Sequence, residues 1–281
     1  MYIGIDLGGT NIAAGLVNDE YKVVEQDSCP TGAERNYKDI IKDMAQLCNE
    51  ILEKASCPLS DIKGIGIGTP GAVDSKTGTV VYANNLNWKF VPLAEELGSY
   101  FPGIPVAVEN DANAAAYGEY VVNGGGSDSF VAVTLGTGVG GGIVINKEIY
   151  RGFNGAGGEL GHITLVHDGE PCTCGKNGCW EAYASVTGLI RQTERAIKND
   201  PDGAMAKLAA ENGKVSGRTA FDAAKAGDAA AKEVVDKYIA YVADGISSVI
   251  NIFQPEVLVI GGGISKEGDY LLNPIKEYVS K

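Results

Sequence analysis

The sequence has none of the features that mark a membrane-spanning or secreted protein. No apolar run approaches the roughly 18 residues needed to cross a bilayer. The first residues, MYIGIDLGGT, show no basic region ahead of an apolar stretch, which is the pattern of a secretory signal. We therefore expect a cytoplasmic protein with no membrane partner. Because thiols stay reduced in that compartment, we do not expect its six cysteines to form disulfides.

Positive charge is also scarce. The chain has 23 lysines and arginines against 36 aspartates and glutamates, which gives a formal net charge of −13. A surface of this sign repels the phosphate backbone, so no nucleic acid is expected as a main partner. A small anionic ligand is compatible with the acidic composition, because backbone dipoles dominate inside a small site.

The common phosphate-binding signatures are missing too. Neither G-x-x-x-x-G-K-[ST] nor G-x-G-x-x-G occurs in the strand–loop–helix context that each requires. Glycine is abundant instead, with 39 residues, and most of its clusters follow short β-branched runs. That pattern predicts strands ending in loops where the backbone has positive φ or approaches another group closely.

Two glycine-tipped hairpins are predicted. Residues 2–17, YIGIDLGGTNIAAGLV, and residues 130–145, FVAVTLGTGVGGGIVI, each have two apolar stretches joined by glycines. The two segments align with Asp6 opposite Thr134, and each is followed later by a strand that ends in glycines, IGIGTPG and VLVIGGG. We infer an internal duplication of one α/β unit.

The duplication predicts two α/β domains, a smaller one of residues 1–123 and a larger one of residues 124–281. Apolar residues at helical spacing predict a helix over residues 37–54, and several helices are expected over residues 181–253. Within the latter region, residues 207–237 have the composition of solvated helices and are not expected to form a site. Trp88, Trp180, Cys29, Cys48 and Cys57 are interpreted as packing residues.

The first hairpin offers a site for phosphate groups. Its turn, formed by Gly8, Gly9 and Thr10, presents backbone N–H groups with no side chain to block approach. Asp6 lies just before the turn, where a carboxylate can hold a hydrated Mg²⁺ against the same phosphates. The alternative is a tight turn with no ligand. Because the hairpin occurs twice, nucleotide binding is the better interpretation.

Asp111 lies between a predicted strand and an alanine-rich helix. Aspartate is among the preferred N-cap residues, so we predict Asp111 at the N-cap position. The junction of a strand end and a helix start is also where α/β folds bind ligands. The two roles are compatible, and Asp111 is therefore a candidate ligand-binding residue.

The stretch GHITLVHDGEPCTCGKNGCWE contains both histidines of the chain, His162 and His167, and three of its six cysteines. Three thiols and one imidazole fit the tetrahedral shell of a structural zinc ion. The thiols belong to Cys172, Cys174 and Cys179. Disulfides explain the cluster less well, because three cysteines leave one unpaired. The spacing does not decide which histidine binds, and His167 lies nearer the cysteines in sequence.

Six segments, in chain order, resemble the ROK family of bacterial sugar kinases and repressors: DLGGTNI, GIGTPGAVD, ENDANAA, LGTGVGGG, GELGH and CTCGKNGCWE. The likeness covers nearly the whole chain, and within the family it is to the glucokinases. Two departures are evident. Asn11 stands where the family more often has lysine, and family members usually continue into a final helix that this sequence is expected to lack.

The resemblance implies an actin/hexokinase-like (ribonuclease H-like) ATPase fold, with ATP and sugar in a cleft between two α/β domains and a zinc-binding loop in the second. It also implies ATP-dependent phosphorylation of glucose to glucose 6-phosphate, in line, with Asp111 as the base. The expected assembly is a homodimer or a dimer of dimers. The cofactors implied are ATP, Mg²⁺ and Zn²⁺.

The resemblance assigns residues to each ligand as follows. The sugar is bound by Gly71, Asn85, Asn110, Asp111, Glu159, His162 and Glu181. The nucleotide is bound by Asp6, Gly8, Gly9, Thr10, Asn11, Gly136, Thr137, Gly138, Gly261, Gly262 and Gly263. Zinc is held by His162, Cys172, Cys174 and Cys179, and magnesium by Asp6. Of the two histidines, the resemblance selects His162. This choice gives the residue a second use, because a metal-bound imidazole keeps its other N–H for a substrate hydroxyl.

Three other functions are compatible with parts of the sequence. A kinase of the same mechanism could act on fructose, allose, N-acetylglucosamine or N-acetylmannosamine, and the sequence alone does not separate these sugars. A sugar-sensing repressor of the family would need a DNA-binding domain ahead of Asp6, so that interpretation is disfavoured. An actin- or Hsp70-like ATPase would share the hairpins but would leave GELGH and the cysteine loop unexplained.

Overall fold

The computed structural model of the protein describes residues 1–281. Its strands are β1 (Tyr2–Leu7), β2 (Asn11–Val17), β3 (Val23–Pro30), β4 (Ile65–Thr69), β5 (Ala72–Asp74), β6 (Thr79–Ala83), β7 (Trp88–Val91), β8 (Val106–Asn110), β9 (Ser129–Leu135), β10 (Val139–Ile145), β11 (Glu148–Ile149) and β12 (Val257–Gly261). Its helices are α1 (Tyr37–Lys54), α2 (Leu93–Gly98), α3 (Asp111–Asn123), α4 (Glu181–Ala184), α5 (Val186–Asn199), α6 (Ala204–Glu211), α7 (Thr219–Lys225), α8 (Ala229–Phe253) and α9 (Asp269–Val279). None of these helices combines the length and the apolarity required to span a membrane.

The chain divides into two compact units. The first consists of residues 1–126 and 148–158, and the second of residues 127–147 and 159–281. Each unit has its own cluster of buried apolar side chains. The return of residues 148–158 to the first unit is a feature that no sequence pattern predicted.

The main sheet of the first unit has the strand order β3-β2-β1-β4-β8. The predicted hairpin is confirmed, since β1 and β2 are antiparallel, whereas β4 and β8 continue from β1 in parallel. Along β1, Ile3, Ile5 and Leu7 are buried, and the alternation directs Asp6 to the opposite face. The strand pattern therefore both builds the core and presents a carboxylate outside it.

Helix α1 packs against this sheet and has the predicted bounds, residues 37–54. Asn36 caps it, because its side chain accepts a hydrogen bond from the Lys38 N–H. The buried face comprises Ile40, Ile41, Met44, Ala45, Leu47, Cys48, Ile51 and Leu52. Each larger apolar side chain of this face contributes about 1.5–3 kcal/mol by leaving water.

A second, smaller sheet in the first unit has the order β5-β6-β7 and was not predicted. Its strands have only three to five residues, too few for a clear two-residue alternation. Gly71 enters the sheet with a φ of +91°, and a Cβ there would lie 2.0 Å from the Tyr82 carbonyl oxygen. Trp88 is buried at the start of β7, as the packing interpretation predicted.

The second unit repeats the arrangement of the first around β9. Strand β10 is its antiparallel hairpin partner and β12 its parallel neighbour, as β2 and β4 are for β1. Thr134 pairs with Gly261 in this sheet, and Asp6 pairs with Gly68 in the other. The two glycine-tipped hairpins thus have the same topology, which supports the inferred duplication.

The helices of the second unit form its core together with the sheet. The prediction of solvated helices over residues 207–237 is wrong for α7, in which Phe221 and four other residues are buried. The sequence pattern does not reveal this buried face, because small residues such as alanine give little difference in hydropathy between two helix faces. Trp180 is fully buried and donates from Nε1 to the Tyr241 carbonyl oxygen at 2.9 Å, which confirms its packing role.

Candidate active site

Strand ends bring the predicted catalytic residues of the first unit together. Asp6 of β1, Gly68 of β4 and Glu109 of β8 are register partners across three parallel strands. Asp111 follows at once, as the first residue of α3. A Cβ on Gly68 would lie 3.5 Å from the Asp111 Cα, so the glycine leaves the space beside α3 open.

The charge of the Asp111 carboxylate acts on Asp6. The pKa of Asp6 is raised above its usual value of 3.8, chiefly because its carboxylate is partly desolvated and secondly because Asp111 is negatively charged. Two neighbouring carboxylates that repel each other are a typical arrangement for binding a divalent cation through oxygen ligands. The chemistry of the two carboxylates fits a hydrated Mg²⁺.

The start of α3 corrects one prediction. Asn110, not Asp111, is the N-cap residue, because the Asn110 Oδ1 accepts hydrogen bonds from the Ala112 N–H at 3.0 Å and the Asn113 N–H at 3.2 Å. The Asp111 Oδ1 accepts from the Ala112 N–H at 2.8 Å, and Asp111 remains exposed. Since Asn110 already caps the helix, Asp111 is available for another role.

The Asn110 side chain also reaches the loop after β4. Its Nδ2 donates to the carbonyl oxygen of Gly71 at 3.1 Å. Two of the residues predicted for the sugar are therefore hydrogen-bonded to each other. Asn85, also predicted for the sugar, lies beside the first hairpin, since a Cβ on Gly9 would be 3.0 Å from the Asn85 carbonyl oxygen.

The turn of the first hairpin is held from two sides. Within it, the Gly8 N–H donates to the Asn11 carbonyl oxygen at 2.9 Å. Just after β3, the buried Thr31 donates its hydroxyl to the Gly8 carbonyl oxygen at 2.7 Å and its N–H to the Thr10 carbonyl oxygen at 2.9 Å. Sequence reasoning missed Thr31, because no local pattern reveals a contact made 23 residues away.

The corresponding turn of the second unit is held by a different set of contacts. The Gly136 N–H donates to the Gly138 carbonyl oxygen at 3.0 Å, and the Thr137 carbonyl oxygen accepts from the Thr187 hydroxyl at 2.8 Å. The Glu181 Oε2 accepts from the Val139 N–H at 3.0 Å. A Cβ on Gly138 would lie 2.3 Å from that oxygen, so a larger residue there would displace the Glu181 carboxylate.

Gly261, the last residue of β12, and the two glycines that follow it lie next to this turn. Gly261 pairs with Thr134, and Gly262 has a φ of +88°. A Cβ on Gly262 would be 2.3 Å from the Leu135 carbonyl oxygen, whereas one on Gly263 would meet nothing within 4 Å. The backbone at Gly263 is therefore open to a ligand in the second unit.

Glu159 and His162 belong to one tight turn of the second unit. The His162 N–H donates to the Glu159 carbonyl oxygen at 3.1 Å, and residues 160–162 form a 3₁₀ turn. Such a turn brings side chains three positions apart to the same side. The two predicted sugar ligands are thus neighbours, as their spacing indicated.

The Cys/His loop forms a compact cluster. The ligand atoms of His162, Cys172, Cys174 and Cys179 all lie within 4.8 Å of one another. The Cys172 Sγ is 3.7 Å from the His162 Nδ1, and the Cys174 Sγ is 3.6 Å from the Cys179 Sγ. Two thiolates at about 2.3 Å from a tetrahedral zinc ion would be about 3.8 Å apart, so the spacing fits zinc.

The cluster excludes His167. Its side chain is 92% exposed and lies 3.2 Å from the carboxylate of its neighbour Asp168. Two glycines shape the loop, and a Cβ on Gly178 would lie 1.6 Å from the Val166 carbonyl oxygen. The pKa of Cys174 is lowered, first by the N–H of Lys176, which favours a thiolate.

Sequence reasoning also missed an ion pair next to the start of α3. The Glu109 carboxylate accepts a hydrogen bond from the Arg151 Nε at 2.7 Å. The two residues are 42 positions apart, and no motif joins them.

The sequence profile described as the ROK family matches residues 2–281. The chain is 39% identical to a glucokinase of Halalkalibacterium halodurans, over 99% of this chain and 84% of that protein. It is 38% identical to a glucokinase of Thermotoga maritima, over 99% of this chain and 86% of that protein.

Among solved structures, a ROK family glucokinase from Streptomyces griseus, in complex with glucose and AMPPNP, superposes with a TM-score of 0.80. It is 36% identical in sequence, and the match covers 99% of this chain and 88% of that one.

Proposed function

The chain belongs to the ROK family, and from that premise we propose that it is an ATP-dependent glucokinase. The reaction would transfer the γ-phosphoryl group of ATP to the 6-hydroxyl of glucose, giving glucose 6-phosphate and ADP. The observation that carries the proposal is similarity over 99% of this chain to glucokinases, including one solved with glucose and AMPPNP.

We assign the base to Asp111. Its carboxylate is exposed and lies at a strand-to-helix junction, and the capping role falls to Asn110. An ordinary aspartate is basic enough, because protein groups in phosphoryl transfer act mainly by positioning and by stabilising charge. Asp111 would accept the proton of the 6-hydroxyl while the oxygen attacks the γ-phosphorus in line. Asn110 would hydrogen-bond a ring hydroxyl.

The remaining sugar contacts are assigned to Gly71, Asn85, Glu159, His162 and Glu181. Carboxylates and imidazoles hold hydroxyl groups in fixed directions, which suits a hexose. One oxygen of Glu181 already accepts the Val139 N–H, and a carboxylate has lone pairs left for a sugar hydroxyl.

The nucleotide is assigned to the two hairpin turns and to the end of β12. Backbone N–H groups of Gly8, Gly9, Thr10 and Asn11, and of Gly136, Thr137 and Gly138, would bind phosphate oxygens. The backbone of Gly261, Gly262 and Gly263 would lie against the adenosine. Asp6 would hold a hydrated Mg²⁺, which neutralises charge on the phosphates.

Zinc is assigned to the cluster of His162, Cys172, Cys174 and Cys179 as a structural ion. When bound it would fix the loop between Glu159 and Glu181. The protein's own contribution is orientation, since an imidazole tied through one nitrogen directs its other N–H at a substrate hydroxyl. The proposed location is the cytoplasm, where thiols stay reduced.

The proposed assembly is a homodimer or a dimer of dimers. Light scattering on the protein as it elutes from a size-exclusion column would measure its molar mass.

A coupled assay of ADP release tests the function. The purified protein is given ATP with glucose, mannose, fructose, allose, N-acetylglucosamine or N-acetylmannosamine, and kcat/KM is measured for each. We expect the highest kcat/KM with glucose. A clear preference for an N-acetylated sugar would contradict the assignment of glucose as the substrate. The absence of turnover with every sugar would contradict the assignment of kinase activity.

A further inference from the structure

Glu109, the residue next to the Asn110 cap, receives four hydrogen bonds on its carboxylate. Oε1 accepts from the Asn110 N–H at 3.0 Å and from the Asn113 Nδ2 at 3.2 Å. Oε2 accepts from the Arg151 Nε at 2.7 Å and from the Ser75 hydroxyl at 3.1 Å. Its side chain is only 15% exposed, so this charge depends on these partners.

These contacts extend to the first turn of α3. Asn113 is 3% exposed, and its side chain is tied to Glu109 while its N–H is held by the Asn110 Oδ1. Asp111 lies between these two asparagines in sequence and is the first residue of the helix. A shift of the Glu109 carboxylate would therefore move the backbone that carries Asp111.

Arg151 comes from a different part of the chain, the returning segment of residues 148–158. This segment packs on β5, since a Cβ on Gly155 would lie 2.7 Å from the Val73 carbonyl oxygen. The Gly157 N–H donates to the Arg151 carbonyl oxygen at 2.9 Å, which closes the segment into a loop. Its last residue is followed directly by Glu159.

We propose that Arg151 and Glu109 are positioning residues for phosphoryl transfer. Their ion pair fixes the junction that presents Asn110 and Asp111, and it anchors in the first unit the segment that runs into Glu159. The inference rests on the proposed kinase function. Charge-assisted hydrogen bonds of this kind are short and directional, and small displacements of a reacting group are costly in rate.

A purely structural role would predict lost stability without a specific loss of turnover. The discriminating variants are Arg151→Met, which removes the charge and keeps the length, Arg151→Lys, which keeps the charge, Glu109→Gln and the double variant Arg151→Met/Glu109→Gln. Lys54→Met is a matched control, because Lys54 forms an ion pair with Asp27 in the same unit and is 51% exposed, against 41% for Arg151.

For each variant, kcat, the KM for glucose, the KM for ATP and Tm are measured on the purified full chain. We expect Arg151→Met to lower kcat about 10-fold or more, with the KM for ATP within about twofold of the parent value. Arg151→Lys should recover part of kcat, and Lys54→Met should leave it unchanged. The double variant should be no slower than the slower single variant, because each change breaks the same contact.

Two results would overturn the inference while leaving the kinase intact. One is a folded Arg151→Met protein with kcat within about twofold of the parent. The other is a double variant whose losses multiply, which would mean that the two residues act independently. If the parent protein phosphorylates no sugar at all, both the proposed function and this inference fail. If it prefers a sugar other than glucose, the same comparison is made with that sugar.

Discussion

The charge of Asp111, the first residue of α3, raises the pKa of Asp6 in β1, so the two carboxylates repel each other in the folded protein. Partial desolvation of Asp6 acts in the same direction and is the larger cause. Both effects disfavour the ionised form of Asp6. The negative charge of Asp6 therefore lowers the stability of the folded protein, which is typical of residues that bind a ligand.

Asp6→Asn should raise Tm at pH 7 in the absence of metal and nucleotide. The folded pKa of Asp6 lies above 3.8, so its contribution to stability is fully present below the unfolded value and is lost as the pH rises through the folded value. The gain in Tm should therefore shrink as the pH falls towards about 4. The same variant should weaken Mg·ATP binding more than glucose binding.

Asp19→Asn is the matched control, with the opposite sign. Lys63 lowers the pKa of Asp19 through a hydrogen bond, so ionised Asp19 stabilises the fold above its unfolded pKa. This substitution should lower Tm slightly at pH 7 and leave nucleotide binding unchanged. An Asp6→Asn protein that is less stable than the parent at pH 7 would contradict the argument.

Asp111→Asn should reduce kcat by roughly 10²-fold or more, the usual scale for loss of a general base. The KM values for glucose and ATP should change only modestly. Because Asn110 is the N-cap, Tm should stay close to that of the parent. Asn110→Ala should instead lower stability by about 0.5–2 kcal/mol through loss of the cap. Near-normal turnover in Asp111→Asn would remove Asp111 from the mechanism.

Thr31→Val tests how the first hairpin is held. Valine keeps the shape of threonine but removes the hydroxyl that donates to the Gly8 carbonyl oxygen. We expect a loss of about 1–3 kcal/mol in the free energy of unfolding, the range for a buried polar group left unpaired, here the Gly8 carbonyl oxygen. The KM of the variant for ATP should be higher than that of the parent. Thr31→Ser keeps the donor and should retain the parent's KM for ATP. If Thr31→Val binds ATP normally, the turn does not depend on this contact.

How much could be predicted depended on whether the signal was local. The hairpin of Asp6, the bounds of α1 and the three clustered thiols of Cys172, Cys174 and Cys179 are encoded in short stretches, and all were found. The N-cap was misassigned because Asn110 and Asp111 are adjacent and both are good caps. The register of β8 decides which of the two caps α3, because Asn110 pairs with Thr69 as the last residue of the strand.

Contacts between distant residues left no trace in the sequence pattern. The Glu109–Arg151 ion pair and the Thr31 hydrogen bond to Gly8 join positions 42 and 23 apart. A single sequence contains no information on which of its many charged and hydroxyl side chains will meet across a sheet. The burial of the alanine-rich helix α7 was not predicted for a different reason, because the two faces of this helix differ too little in hydropathy.

Gly245→Ala should destabilise the second unit although alanine favours helices. A Cβ at this position in α8 would lie 2.0 Å from the Trp180 ring, which is fully buried. Overpacking of this kind costs about 1–3 kcal/mol, more than the gain of about 1 kcal/mol in helix propensity. Gly118→Ala in α3 is the control, because a Cβ there meets nothing within 4 Å and should stabilise the protein. Denaturant unfolding measures both, and equal effects would contradict the packing argument.

The Cys/His cluster should hold a zinc ion in the purified protein. Elemental analysis of the purified protein should find about one Zn²⁺ per chain, because four suitable ligand atoms lie within 4.8 Å of one another. Strong chelation should abolish glucose binding before nucleotide binding, since Glu159 and Glu181 flank the cluster in sequence, whereas Asp6 and the first hairpin turn belong to the first unit. Calorimetric titration with each ligand, before and after chelation, measures the two losses separately.

His162→Ala should lose both zinc and glucose affinity, because the imidazole is assigned to the metal and to the sugar. His167→Ala should change neither, since its side chain is 92% exposed and lies outside the cluster. The two histidines are five residues apart in the same loop, so the pair separates a ligand role from general damage to the loop. A metal-free protein that phosphorylates glucose at the full rate would show that the cluster, although correctly shaped for zinc, does not support sugar binding.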